Sequence, residues 1–110
     1  MADFTKVFDD LKSQLSTLAE QDLKEFSEQG KMDATAFLEE SRGQLEKWSQ
    51  LFADGQIDED EFRVLVESLK TSAEMEALRK ASAGQQKIDN FRDSALNLIV
   101  KATITAISAA

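Results

Sequence analysis

Residues 4–18 read FTKVFDDLKSQLSTL, and the large apolar side chains in this stretch recur at steps of three and four residues. That spacing matches the turn of an α-helix, so one face of the segment is apolar and the other is polar. The apolar face then shifts, or the helix breaks, between Leu18 and Leu23. The pattern predicts an amphipathic helix over about 3–29, closed by Gly30 in the left-handed conformation.

The same reasoning predicts a second helix over 33–53. Asp33 precedes its first apolar residues and has a side chain suited to capping a helix N-terminus. The pair Asp54-Gly55 is a typical helix end, because glycine adopts the left-handed conformation without steric cost. This second helix is expected to form an antiparallel hairpin with the helix that follows it.

A third helix is predicted over 58–81. Asp58 and Glu61 stand three residues apart, as the two members of a capping box do. Residues 82–84 read SAG and leave two alternatives open: a turn, or one helix running on into a fourth predicted over 85–108. A continuous helix through both segments would be about 80 Å long and would need an oligomer to bury its apolar faces.

The chain has 110 residues and contains no proline, which permits long helices. Its length suits one domain over 1–110. The predicted fold class is therefore all-α, as a four-helix antiparallel bundle or an elongated helical protein that packs as an oligomer. An apolar C-terminal strand is the minority alternative, since a lone strand has no partner within the chain.

Composition excludes several classes of function. The chain has no cysteine and no histidine, so it lacks the usual metal ligands, nucleophilic thiols and general bases. Its net charge of −8 disfavours nucleic-acid binding, which needs clustered Lys and Arg. We therefore predict no enzyme activity, no catalytic or metal-binding residues and no cofactor. No basic and apolar leader follows Met1, and the expected location is cytoplasmic.

The middle of the chain resembles a known family. Roughly residues 45–69 are similar to the SHOCT pattern. In that pattern a Gly-x-Ile turn precedes a helix that starts with an acidic residue and Phe, and leucines lie on both sides. The matching residues are Leu45, Leu51, Gly55, Ile57, Glu61, Phe62 and Leu69. The resemblance implies a short helical hairpin, and the family is associated with oligomerisation and with membrane proteins.

The strongest functional candidate is the C-terminal run SALNLIVKATITAISAA over 94–110, whose single charge is Lys101. A helix that is apolar nearly all round is buried in its own chain, buried against another protein or in contact with lipid. A bilayer crossing needs about 20 apolar residues, so this run is too short and too polar to span. The residues predicted to make the contact are Leu96, Ile99, Val100, Ile104 and Ile107.

Two functions from different classes follow from this run. The leading prediction is a non-enzymatic helical module that self-assembles or binds a protein partner through its apolar C-terminal helix. The alternative is a peripheral membrane or lipid-associating helical protein, in which Lys87, Arg92 and Lys101 lie beside the apolar surface. The acidic remainder of the chain opposes the second prediction at an anionic membrane surface.

Overall fold

Three long helices and two short ones account for most of the chain. The structure is a computed structural model that describes residues 4–108, and it contains no strand within that range. The all-α prediction is confirmed. The helices are α1 Phe4–Leu23, α2 Ser27–Ala53, α3 Glu59–Glu67, α4 Glu76–Lys80 and α5 Gln85–Ser108, with 3₁₀ segments at Lys24–Phe26 and Ser68–Ser72.

The long helices α1, α2 and α5 pack side by side. Lys12 of α1 pairs with Glu39 of α2, and Glu20 pairs with Lys31, so the two helices run antiparallel. The principal dimensions are 42 × 23 × 19 Å, and the 80 Å helix considered from the sequence is not formed. The four-helix bundle is not confirmed either, because α3 and α4 are short and the chain turns between α4 and α5.

The core lies where the three long helices meet α3 and α4. Its three innermost aromatic rings come from α1, α3 and α5, so each of these helices contributes to one shared interior. The largest fully buried side chains are Phe8, Phe62, Phe91, Leu11, Leu15, Leu23, Leu38, Leu45, Leu78, Ile99, Val66 and Val100.

The first turn lies six residues earlier than predicted. The reversal occurs at Lys24–Phe26, where Lys24 has a φ of 49°, and Gly30 is inside α2. The prediction that Gly30 ends a helix over 3–29 is therefore wrong. Gly30 instead lies at a point of close contact between α1 and α2: a Cβ added there would lie 2.2 Å from Leu23 Cδ1 and 3.2 Å from Ala19 Cβ.

Asp33 caps a helix, but not the one predicted. It lies in the second turn of α2, which begins at Ser27 rather than at residue 33. Its Oδ1 accepts a hydrogen bond from the backbone N–H of Ala77 at 2.9 Å, and its Oδ2 accepts one from Leu78 at 2.8 Å. Asp33 therefore accepts hydrogen bonds from two N–H groups in the first turn of α4, although it belongs to a different helix.

The capping box at the start of α3 is confirmed. The N–H of Glu61 donates to Asp58 Oδ1 at 2.8 Å, and the N–H of Asp58 donates to Glu61 Oε1 at 3.2 Å. The predicted helix over 58–81 nevertheless ends at Glu67. A 3₁₀ segment follows, and Met75 then adopts the left-handed conformation with a φ of 51°.

Asp58→Ala is expected to lower the free energy of unfolding by about 1 kcal/mol, because it removes an N-cap acceptor at a helix of only nine residues. Urea denaturation followed by circular dichroism measures the change. Asp60→Ala is the matched control, since Asp60 is exposed in the same turn and is not part of the capping box. Equal midpoints for the two variants would contradict the role assigned to Asp58.

Candidate interaction surface

The structure separates the five residues predicted for contact into two groups. Leu96, Ile99 and Val100 are buried in the core of a single chain. They lie inside because α1, α2 and α3 all pack against α5 and cover this side of it. In the folded chain these three side chains therefore have little or no surface to offer a partner.

Ile104 and Ile107 form the second group, in the last two turns of α5. Both side chains are half-buried. Ile104 still packs against the core cluster, whereas Ile107 is not among the residues that do. Of the five predicted residues, Ile104 and Ile107 are therefore the two that keep accessible surface in the single chain.

A shallow groove between α1 and α5 lies on another side of α5. It encloses about 650 Å³, and its apolar side chains are half-buried Leu18, Leu98, Ala102 and Ala106. Its polar lining comes from both helices. The lining residues are Gln14, Leu18, Ser94, Asn97, Leu98, Lys101, Ala102, Thr105 and Ala106.

Lys101 is the single charged residue among the nine that line this groove, which we call the α1–α5 groove. Charged residues make up 31% of the whole chain, so this surface is depleted in charge. Depletion of charge is typical of the centre of a protein–protein interface. Sequence reasoning had not selected this surface, although Leu98, Ala102 and Ala106 recur every four residues and so share one face of α5.

A second cavity of about 800 Å³ lies where the end of α1 meets the start of α5. Polar side chains stand at its edges, with Gln21 and Asp22 on one side and Gln85 to Lys87 on the other, and Leu23 and Phe91 contribute apolar surface. The Lys87 ammonium lies 5.2 Å from the ring centroid of Phe26, which is a cation–π contact. This basic group is therefore already engaged within the chain.

Two of the shifted pKa values, those of Glu39 and Lys31, arise from ion pairs on the surface outside both cavities. A hydrogen bond from Lys12 lowers the pKa of Glu39, and the Lys12 charge acts in the same direction. The hydrogen bond to Glu20 raises the pKa of Lys31, and desolvation of the ammonium acts in the opposite direction. Both pairs bridge α1 and α2 on exposed surface, so they are interactions of the fold rather than of a reaction site.

The described residues offer no site for a metal or a membrane crossing. Within residues 4–108, no three His, Cys, Asp or Glu side chains are grouped so that they could hold a metal ion. None of the helices in that range, α5 included, has the length and hydropathy that a bilayer crossing requires.

Comparison of the chain with protein-family models, with curated proteins and with solved structures finds no match. The similarity to the SHOCT pattern accordingly stays a prediction.

Proposed function

We propose that this protein is a non-enzymatic helical module that assembles with a second copy of itself through the α1–α5 groove. The observation that supports the proposal is the contrast between the groove and the rest of the surface. Nine residues from two helices line it with a single charge, in a chain that carries 34 charged side chains. Ile104 and Ile107 are not among the residues that line the groove, so the proposed contact does not depend on them.

Charge indicates through which face two copies would meet. Each copy carries a net charge of −8, so two copies repel each other over most of their surfaces. Repulsion is weakest where both approaching faces are nearly uncharged, and the α1–α5 groove is such a face. A basic partner, in contrast, would be drawn to the acidic remainder of the chain rather than to this groove.

Shape supports the same occupant. Ala102 and Ala106 are small, and together they leave the α5 backbone accessible to another helix at close range. An apolar helix that settles there removes the half-exposed surface of Leu18 and Leu98 from water, at about 25 cal/mol per Å². Burial of apolar surface is therefore the mechanism of assembly, and the acidic surface keeps the assembled form in solution.

The test is the absolute mass by light scattering coupled to size exclusion, over a range of protein concentrations. The full chain is expected to have a multiple of the monomer mass. Ala102→Glu is expected to return it to the monomer, because the change places a carboxylate on the apolar floor of the groove.

Gln44→Glu is the matched control, since Gln44 is exposed on α2 outside the groove and the substitution changes the net charge equally. It is expected to leave the assembly intact. A full chain that is monomeric at every concentration contradicts the proposal. If that monomer floats with lipid vesicles and Ala102→Glu does not, the groove serves the lipid-associating function considered from the sequence.

A further inference from the structure

The segment 73–83, which includes α4, is the part of the fold that departs most from its own sequence pattern. Apolar spacing predicts a helix through most of it, continuous with α3. The structure instead bends the chain at Met75 and again at Ser82, with φ values of 51° and 60°. A conflict between local preference and the final fold often marks a strained or functional element. We call residues 73–83 the strap.

Asp33 holds the strap against α2. Its side chain is 8% exposed, and its two carboxylate oxygens accept the N–H groups of Ala77 and Leu78. Met75, at the start of α4, provides no side-chain cap of its own. The first turn of α4 therefore depends on an acceptor 44 and 45 residues away in the chain.

The strap also contributes apolar side chains to the core. Met75 and Leu78 are its large buried side chains, accompanied by the small Ala73 and Ala83. Left-handed backbone at two non-glycine residues opposes the closed form. A short helix that is held by two large apolar side chains and flanked by strained residues opens at a lower free energy than the long helices that it covers.

The closed strap covers one face of α2. A small cavity of about 110 Å³ separates residues 72–76 from Asp33, Ala36, Phe37 and Glu40. Phe37 is buried in the closed form. Opening of the strap would expose this ring together with the Asp33 carboxylate, whereas α1, α2 and α5 also pack directly against one another.

We infer that residues 73–83 form a strap that opens as one unit while α1, α2 and α5 stay folded, and that Asp33 keeps it closed over the Phe37 face of α2. The strap lies apart from the α1–α5 groove and does not depend on the proposed self-assembly. It gives the chain a second apolar surface that is accessible only in the open form.

Native-state hydrogen exchange tests this inference. In the full chain the amides of Ala77 and Leu78 are expected to exchange faster than the core amides of α1, α2 and α5. Asp33→Asn, which keeps the shape but removes one acceptor oxygen, is expected to speed exchange in the strap by at least about tenfold and to leave α1 and α5 unchanged. Equal acceleration in all helices overturns the inference.

Ser82→Gly provides a second variant that does not disturb the core. Ser82 is exposed, and glycine adopts its positive φ without strain, so the closed strap should become more stable. Exchange in the strap is expected to slow several-fold relative to that in α1. The inference is overturned if the strap amides exchange only at the rate of global unfolding, both in the unmodified chain and in this variant.

Discussion

Val100→Asp is expected to abolish the folded state, with a loss of at least about 4 kcal/mol of unfolding free energy. The Val100 side chain is 0% exposed in the core of one chain. A carboxylate placed there loses its hydration and finds no cation among the apolar side chains that pack around it. Single domains have only about 5–15 kcal/mol of stability, so this loss removes most of it.

Val64→Asp is the matched control, because Val64 is 65% exposed on α3. Its effect is expected to stay within about 0.5 kcal/mol. Urea denaturation followed by helical circular dichroism measures both variants. A Val100→Asp chain that keeps its helicity and its denaturation midpoint but loses its oligomeric mass would place Val100 at an intermolecular contact, as the sequence alone had suggested.

Gly30→Leu is expected to destabilise the fold by about 3 kcal/mol or more, because it overfills a tight contact between α1 and α2. Even a Cβ at this position lies 2.2 Å from Leu23 Cδ1 and 3.2 Å from Ala19 Cβ. Leu23 and Ala19 are both buried, so neither can move aside without disturbing the core. The two helices must separate to make room for the new side chain.

Gly43→Leu makes the same substitution in the same helix, where an added Cβ has no atom within 4 Å. It is expected to stabilise the chain by up to about 1 kcal/mol, because leucine has the higher helix propensity. Thermal or urea unfolding distinguishes the two variants, because the free energy of unfolding should fall for Gly30→Leu and rise for Gly43→Leu. A Gly30→Leu variant as stable as the unmodified chain would show that α1 and α2 do not approach closely at Gly30.

Much of the secondary structure follows from local pattern. The helix predicted over 85–108 matches α5, and the predicted end at Asp54-Gly55 agrees with α2, which ends at Ala53. The capping box of Asp58 and Glu61 is also found as predicted. These features depend on residues within one or two helical turns of each other, and such residues stand close together in the sequence.

The errors come from contacts between distant parts of the chain. Gly30 is typical of a helix end, but its role is to let α2 approach Leu23. Asp33 is typical of an N-cap, and it does cap a helix, but the recipient is α4 in another part of the sequence. In both cases the residue type indicated the kind of role, a backbone position without a side chain or a helix cap. Packing determined which other segment the residue contacts.

The candidate surface shows the same division. The sequence identified α5 as the apolar helix. Because α5 is apolar nearly all round, the pattern did not show which of its sides would face the core. Packing of α1, α2 and α3 made Leu96, Ile99 and Val100 interior and left Leu98, Ala102 and Ala106 along the α1–α5 groove.

The sequence by itself thus determined an acidic all-α chain, the extent of its last helix and the start of α3, because periodicity and capping act over a few residues. Only the tertiary structure decided where the first turn lies, why the helix after Asp58 breaks and which face of α5 remains accessible. Those outcomes depend on competition for the same buried volume among segments far apart in the chain, and helical periodicity contains no information about that competition.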